Sequence, residues 1–180
     1  MLGPGETAPA NRPGYTAADV RFMRGMLVHH AQALVMTDLA EERAASESLR
    51  MVARRIEISQ ASEIGLMRRW LGDRGETVPP LDMSGHGGAG GHMHMPGMAT
   101  DEELARLAAA SGVTFDRLFL ELMIRHHEGA LVMVSELLGS AGAGQEPELF
   151  QLVSHVDADQ RAEIARMQAM LSQFESDPLP

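Results

Sequence analysis

The sequence contains no cysteine. That absence excludes disulfides, thiolate zinc sites and a cysteine nucleophile. It also suits an oxidising compartment, where thioether and imidazole donors avoid disulfide chemistry. Aromatic residues make up only 4% of the 180 residues, so aliphatic side chains, alanine and methionine must fill any core. Basic residues are outnumbered by acidic ones, leaving a formal net charge of −10. This balance argues against nucleic acid as a partner, which requires basic patches, and modestly favours the attraction of cations. No apolar run approaches the roughly 20 residues of a membrane span, so membrane insertion is not expected.

Catalytic signatures are missing as well. A di-iron bundle needs Glu-x-x-His on two helices; here Glu121 precedes His126 by five positions and Glu128 follows the histidine pair. The zinc-protease pattern His-Glu-x-x-His, the nucleophile elbow Gly-x-Ser-x-Gly and the phosphate loop Gly-x-x-x-x-Gly-Lys-Ser/Thr are absent. No nucleophile–base set remains, and the chain is expected not to be an enzyme.

What the sequence does contain is a duplication. The stretch Phe119-Leu120-Glu121-Leu122-Met123-Ile124-Arg125-His126-His127-Glu128-Gly129-Ala130-Leu131-Val132-Met133 has a near-copy from Phe22 to Met36, at a constant offset of 97. Phe22, Met26, His29, Ala33, Met36 and Ala40 step by four and three, one stripe of a helix packed against neighbours. Phe119, Met123, His126, Ala130, Met133 and Leu137 repeat those steps. His30 and His127 fall on adjacent, otherwise apolar stripes, because consecutive helical residues point about 100° apart. All four histidines are therefore expected at least partly inside. Gln60, Glu63, Ile64 and Met67 recur as Gln160, Glu163, Ile164 and Met167, now offset by 100. Each half reads as a helical hairpin, and two hairpins can close a four-helix bundle.

Residues 1–15 read as a Gly/Pro/Ala-rich N-terminal arm, and Met1-Leu2-Gly3-Pro4-Gly5 as the trimmed start of an export precursor with no visible signal peptide. Residues 16–180 form one bundle domain, with a hairpin at 16–72, a crossover at 73–113 and a hairpin at 114–175. Thr16 with Asp19 imitates a capping box, and the first helix should run to Glu42 or Ala45. The second spans Glu47 to about Gly72. Within the crossover Thr100 starts a short helix ended by Gly112, Thr114 starts the third long helix, and the fourth runs from Pro147 to Phe174.

Fourteen methionines is a high count, and many stand beside histidine. Soft thioether and imidazole donors suit Cu(I) and, by extension, Ag(I). The helices offer Met26, His29, His30 and Met36 in one half and Met123, His126, His127 and Met133 in the other, as two related sites or one pooled site. A methionine at helical spacing is usually core, and duplication brings metal ligation level with that packing role. The crossover holds His86, His92, Met93, His94, Met95 and Met98 in glycine-rich sequence that should have no core to pack against, so metal capture is the favoured reading there. Gln60-x-x-Glu63 and Gln160-x-x-Glu163 read as groups reaching across to orient an inward imidazole, in preference to acid–base catalysis.

The paired His-His helices, the Gln-x-x-Glu-Ile-x-x-Met segments and the blocks Met95-Pro96-Gly97-Met98 and His126-His127-Glu128-Gly129-Ala130 resemble the CopM-like family, domain of unknown function 305, over about residues 16–174. The resemblance implies an all-α, ferritin-like four-helix bundle, bacterial export to the periplasm or beyond, and copper or silver bound through Met and His. The function it implies is sequestration or delivery of Cu(I)/Ag(I). The alternative is a metal-independent helical interaction module, with a divergent oxidase third. The expected partner is the metal ion; a homo-oligomer and a copper-delivery partner stay open.

Overall fold

Thr16 starts the helical part of the chain. Its hydroxyl accepts from the Asp19 N–H at 3.2 Å while the Asp19 carboxylate accepts from the Thr16 N–H at 2.7 Å, the reciprocal capping box. The computed structural model describes residues 14–81 and 95–176. Among them are helices α1 (Ala17–Asp38), α2 (Ala40–Arg43), α3 (Glu47–Asp73), α4 (Asp101–Ala109), α5 (Gly112–Gly139) and α6 (Pro147–Ser176), and no strand. The chain is all-α, as its repeats predict.

Two boundaries differ from the sequence reading. The first helix stops at Asp38, several residues early, and a single turn, α2, follows. The cause is local: the Thr37 hydroxyl bonds back to the Leu34 carbonyl at 3.0 Å, and the Leu39 N–H falls on the Met36 carbonyl at 3.3 Å; such back-bonding bends a helix. The third long helix begins at Gly112 rather than Thr114. Gly112, expected to end α4, takes φ +65°, which suits glycine and lets the chain turn directly into α5.

Helix α1 packs on α3 and α5, and α6 packs on the same two. Gly25 faces Met133, His29 faces His126 and Ala44 bridges Gly112. Numbers rise along α1 as they fall along α5, so the two are antiparallel. Ser59 bonds Asp159 at 3.3 Å, and Trp70 donates to Glu146 at 3.0 Å just before α6, which makes α3 and α6 antiparallel too. Helices α3 and α5 therefore run in one direction, and the connection between them must travel the length of the bundle. That single long crossover is the ferritin-like topology.

The matched residues Asp19 and Asp116, both buried, tie each hairpin to the other. Asp19 accepts from the Gly144 N–H at 2.8 Å, in the α5–α6 connection. Asp116 accepts from the Ala45 and Ser46 N–H groups at 3.0 and 2.9 Å, in the α2–α3 connection. The apolar core is divided in two. One cluster gathers Met23, Met26, Ile64, Met67, Trp70, Met133 and Val156, the other Met36, Ile56, Phe115, Phe119, Met123 and Met167. On each long helix the residues separating the clusters are polar and buried: His29 and His30, Gln60 and Glu63, His126 and His127, Gln160 and Glu163.

Candidate functional site

This polar layer is where the repeats meet. His29 and His126 come from α1 and α5 at their crossing, with ring centroids 3.8 Å apart and planes inclined by 35°. The stripes Phe22–Met26–His29 and Phe119–Met123–His126 thus face inward. The His126 Nε2–H donates to the His29 carbonyl at 3.0 Å, and the His29 Nε2–H to the Pro96 carbonyl at 3.0 Å. His30 and His127 turn toward their own hairpins. Their Nε2 atoms meet Glu63 Oε2 at 2.6 Å and Glu163 Oε2 at 2.7 Å, the cross-helix contacts that the Gln-x-x-Glu repeats suggest.

In every case Nε2 is the anchored nitrogen. A carbonyl oxygen only accepts, so His29 and His126 carry their proton on Nε2 and leave a bare lone pair on Nδ1. The Nδ1 atoms of all four histidines are buried without a protein partner, as are both amide atoms of Gln60 and of Gln160, and Glu63 Oε1. Among the described residues every buried, unpartnered side-chain nitrogen or oxygen belongs to the two repeated motifs. Each such group costs about 1–3 kcal/mol, so their concentration in one layer marks the site. Burial, with the neighbouring His30 next in weight, lowers the His29 pKa to about 3. Burial, then His29, holds His126 well below the ordinary range. Both rings are neutral donors at neutral pH.

Carboxylate- or carbonyl-anchored imidazoles with a free second nitrogen are oriented as metal ligands are. The pooled arrangement of four histidines is nevertheless not formed: among the described residues no three His, Asp or Glu side chains gather as a ligand set. His29 and His126 face one another, whereas His30 and His127 point to separate glutamates. Methionine sulfur supplies the remaining soft donors. Met26, Met36 and Met123 are fully buried and Met133 nearly so, Met26 and Met133 on one side of the layer and Met36 and Met123 on the other. As donor chemistry, buried imidazole nitrogen beside thioether fits a soft ion.

The crossover departs from expectation. His86, His92, Met93 and His94 lie outside the described residues. Met95 and Met98 do not stand in a loop without a core: Met95 is buried in the first apolar cluster, and Met98 packs against it. Backbone contact explains this. Gly97, at φ +77°, lies on Gly129, where a Cβ on either residue would strike the other's backbone. Two residues on, Ala99 is gripped by Gln32, whose amide accepts from the Ala99 N–H at 2.8 Å and donates to its carbonyl at 2.9 Å. Sequence reasoning missed Gln32. The available signal was that Gln32 and Gly129 occupy matched positions of the repeat yet differ in type.

A family model described as a domain of unknown function, DUF305, matches residues 19–171. No curated protein sequence matches the chain. A DUF305 fragment from Deinococcus radiodurans superposes with a TM-score of 0.76 at 33% identity, covering 89% of this chain and 99% of that one. A DUF305 protein from Streptomyces coelicolor, predicted to be secreted, follows at 0.72 and 32%, covering 87% and 93%. CopM in its Cu(II)-bound form matches at 0.69 and 32%, covering 87% and 97%; its Cu(I)-bound and Ag-bound forms match at 29% and 28% identity. With the family model spanning the four long helices and relatives above 30% identity over most of both chains, the protein belongs to the DUF305, CopM-like family.

Proposed function

We propose that this protein binds soft monovalent metal, Cu(I) or Ag(I), as cargo to be sequestered or delivered, and that it acts as a binding protein rather than an enzyme. The observation that carries the reading is the set of four buried imidazoles, each held through Nε2 and each keeping Nδ1 without a protein partner. Support comes from the thioethers on both sides of that layer and from CopM, which has been crystallised in Cu(II)-, Cu(I)- and Ag-bound forms. In this reading Glu63, Glu163 and the Pro96 and His29 carbonyls orient the rings, and imidazole and methionine provide the donors. Function outside the cytosol, in the periplasm or as a secreted protein, belongs to the same proposal. It is supported by the cysteine-free composition and by the relative predicted to be secreted.

The test is an anaerobic titration with Cu(I), read by native mass spectrometry, on the wild type and on a variant with His29, His30, His126 and His127 all changed to Gln. Circular dichroism follows the fold in parallel. The wild type should take up Cu(I), and the folded variant should lose part of that stoichiometry. Equal stoichiometry in a folded variant contradicts a role for the histidines.

A further inference from the structure

The two hairpins meet along two seams on opposite sides of the bundle. The described parts of the crossover lie on the α1–α5 side, where Arg24 holds Glu76 and the Thr77 carbonyl and Gln32 holds Ala99. On the other side, Ser59 of α3 bonds Asp159 of α6 near the middle of the seam, and an open cleft lies toward each end. One cleft, of about 450 Å³, is lined by Met51, Arg54, Arg55, Ile58 and Arg166 among others. The other includes Leu66, Trp70, Leu152 and His155. From Met51 to Trp70 this groove runs about 28 Å, at 1.5 Å per helical residue.

Met51, Ile58 and Leu66 stand seven and eight residues apart, two turns each, and so form one stripe along the α3 edge. They are 66%, 62% and 37% exposed. An aligned apolar stripe rimmed by polar groups marks an interaction surface. Arg54, Arg55 and Arg166 are exposed beside it and make no ion pair or hydrogen bond among the described residues. Two carboxylates line the same cleft, but both are engaged, Asp159 by Ser59 at 3.3 Å and Glu163 by His127 at 2.7 Å. Three cations against two carboxylates leave the cleft positive in a chain of net charge −10. The fold does not require these arginines. At the offset of 100 they correspond to Ser154, His155 and Leu66, whereas the inward Gln60 and Glu63 recur unchanged.

We propose that the α3–α6 groove is the docking site for an acidic amphipathic helix of a partner protein. A seam open along its length suits a third helix better than a small molecule, which binds where most of its surface is enclosed. The partner's apolar face packs on Met51, Ile58 and Leu66, and its carboxylates meet guanidiniums built for bidentate pairing. A membrane is the poorer match, because the arginines line a recess between helices and the net charge opposes anionic lipid. Nothing in this docking depends on bound metal.

The probe is a labelled synthetic helical peptide about five turns long, with leucines at steps of three and four and glutamates on both flanks. Its binding to the full chain is followed by fluorescence anisotropy, beside a version with every glutamate changed to glutamine. The glutamate peptide should bind about tenfold more tightly than the glutamine one, and salt should weaken it. The triple variant R54Q/R55Q/R166Q should lose about tenfold in affinity with helicity and melting temperature unchanged. In NMR the Met51 and Ile58 methyl signals should move on binding while that of Met36 stays still. Equal affinity for the two peptides, or for wild type and triple variant, overturns the proposal. So does binding to phosphatidylglycerol vesicles without the peptide preference, which assigns the groove to a membrane. A wild-type dimer that the triple variant dissociates, read by sedimentation, assigns it to a second copy and overturns the proposal equally.

Discussion

The shortest side-chain contacts in the core are the two His–Glu pairs, and they set what a single substitution does. Removing Glu63 strands a second nitrogen on His30, in a layer where Nδ1 already has no protein partner. E63A should therefore lower unfolding free energy by about 2 kcal/mol, the usual cost of orphaning a buried polar group. E163A should do the same to His127, and urea denaturation of both variants is the check. His29 and His126 make a second prediction. Their folded pKa values lie below the unfolded value near 6.5. The unfolded chain thus binds more protons between about pH 3 and pH 6.5, so stability is complete above that window and is lost as pH falls through it. For metal-free protein the melting temperature should already drop between pH 7 and pH 5, before most carboxylates titrate. A flat profile over that range contradicts neutral, buried imidazoles.

At the scale of the element, the crossover carries the most specific expectations. The Pro96–Gly97 turn meets the backbone of α5 at Arg125 and Gly129, so Gly129→Ala should cost about 1–3 kcal/mol as overpacking. It should also release the His29–Pro96 bond, visible as a changed His29 ring signal in NMR. The four long helices were legible in the sequence because a stripe with steps of four and three has one geometric solution, and the Thr16 and Thr100 caps are local chemistry. The docking of Met95 to Ala99 was not legible. It depends on Gly25, Gln32 and Gly129 lying along one groove formed by two helices far apart in sequence, and a glycine in a helix reads locally only as a weak position. The partners of Asp19 and Asp116 were hidden for the same reason: their match across the repeat was plain, but each reaches into the other hairpin's turn. Because residues 95–99 help build the core, replacing Met95–Met98 with an equal-length Gly-Ser spacer should lower the melting temperature. A loop that merely connected helices would give no change.

For the whole molecule, the decisive feature is a bundle whose core is cut by a polar layer. Two apolar clusters supply the packing, and the layer between them gives up stability by burying imidazole, amide and carboxylate atoms that the protein does not pair. A metal that binds only the folded chain returns stability in proportion to the logarithm of its concentration over Kd, so Cu(I) should raise the melting temperature progressively. The central claim is that soft metal is held by imidazole and thioether together. X-ray absorption at the copper edge, on full-length protein loaded anaerobically with one equivalent of Cu(I), reads the ligand atoms directly. The account predicts sulfur and nitrogen in the same first coordination sphere. A spectrum with nitrogen and oxygen alone, or one indistinguishable from copper free in buffer, contradicts it.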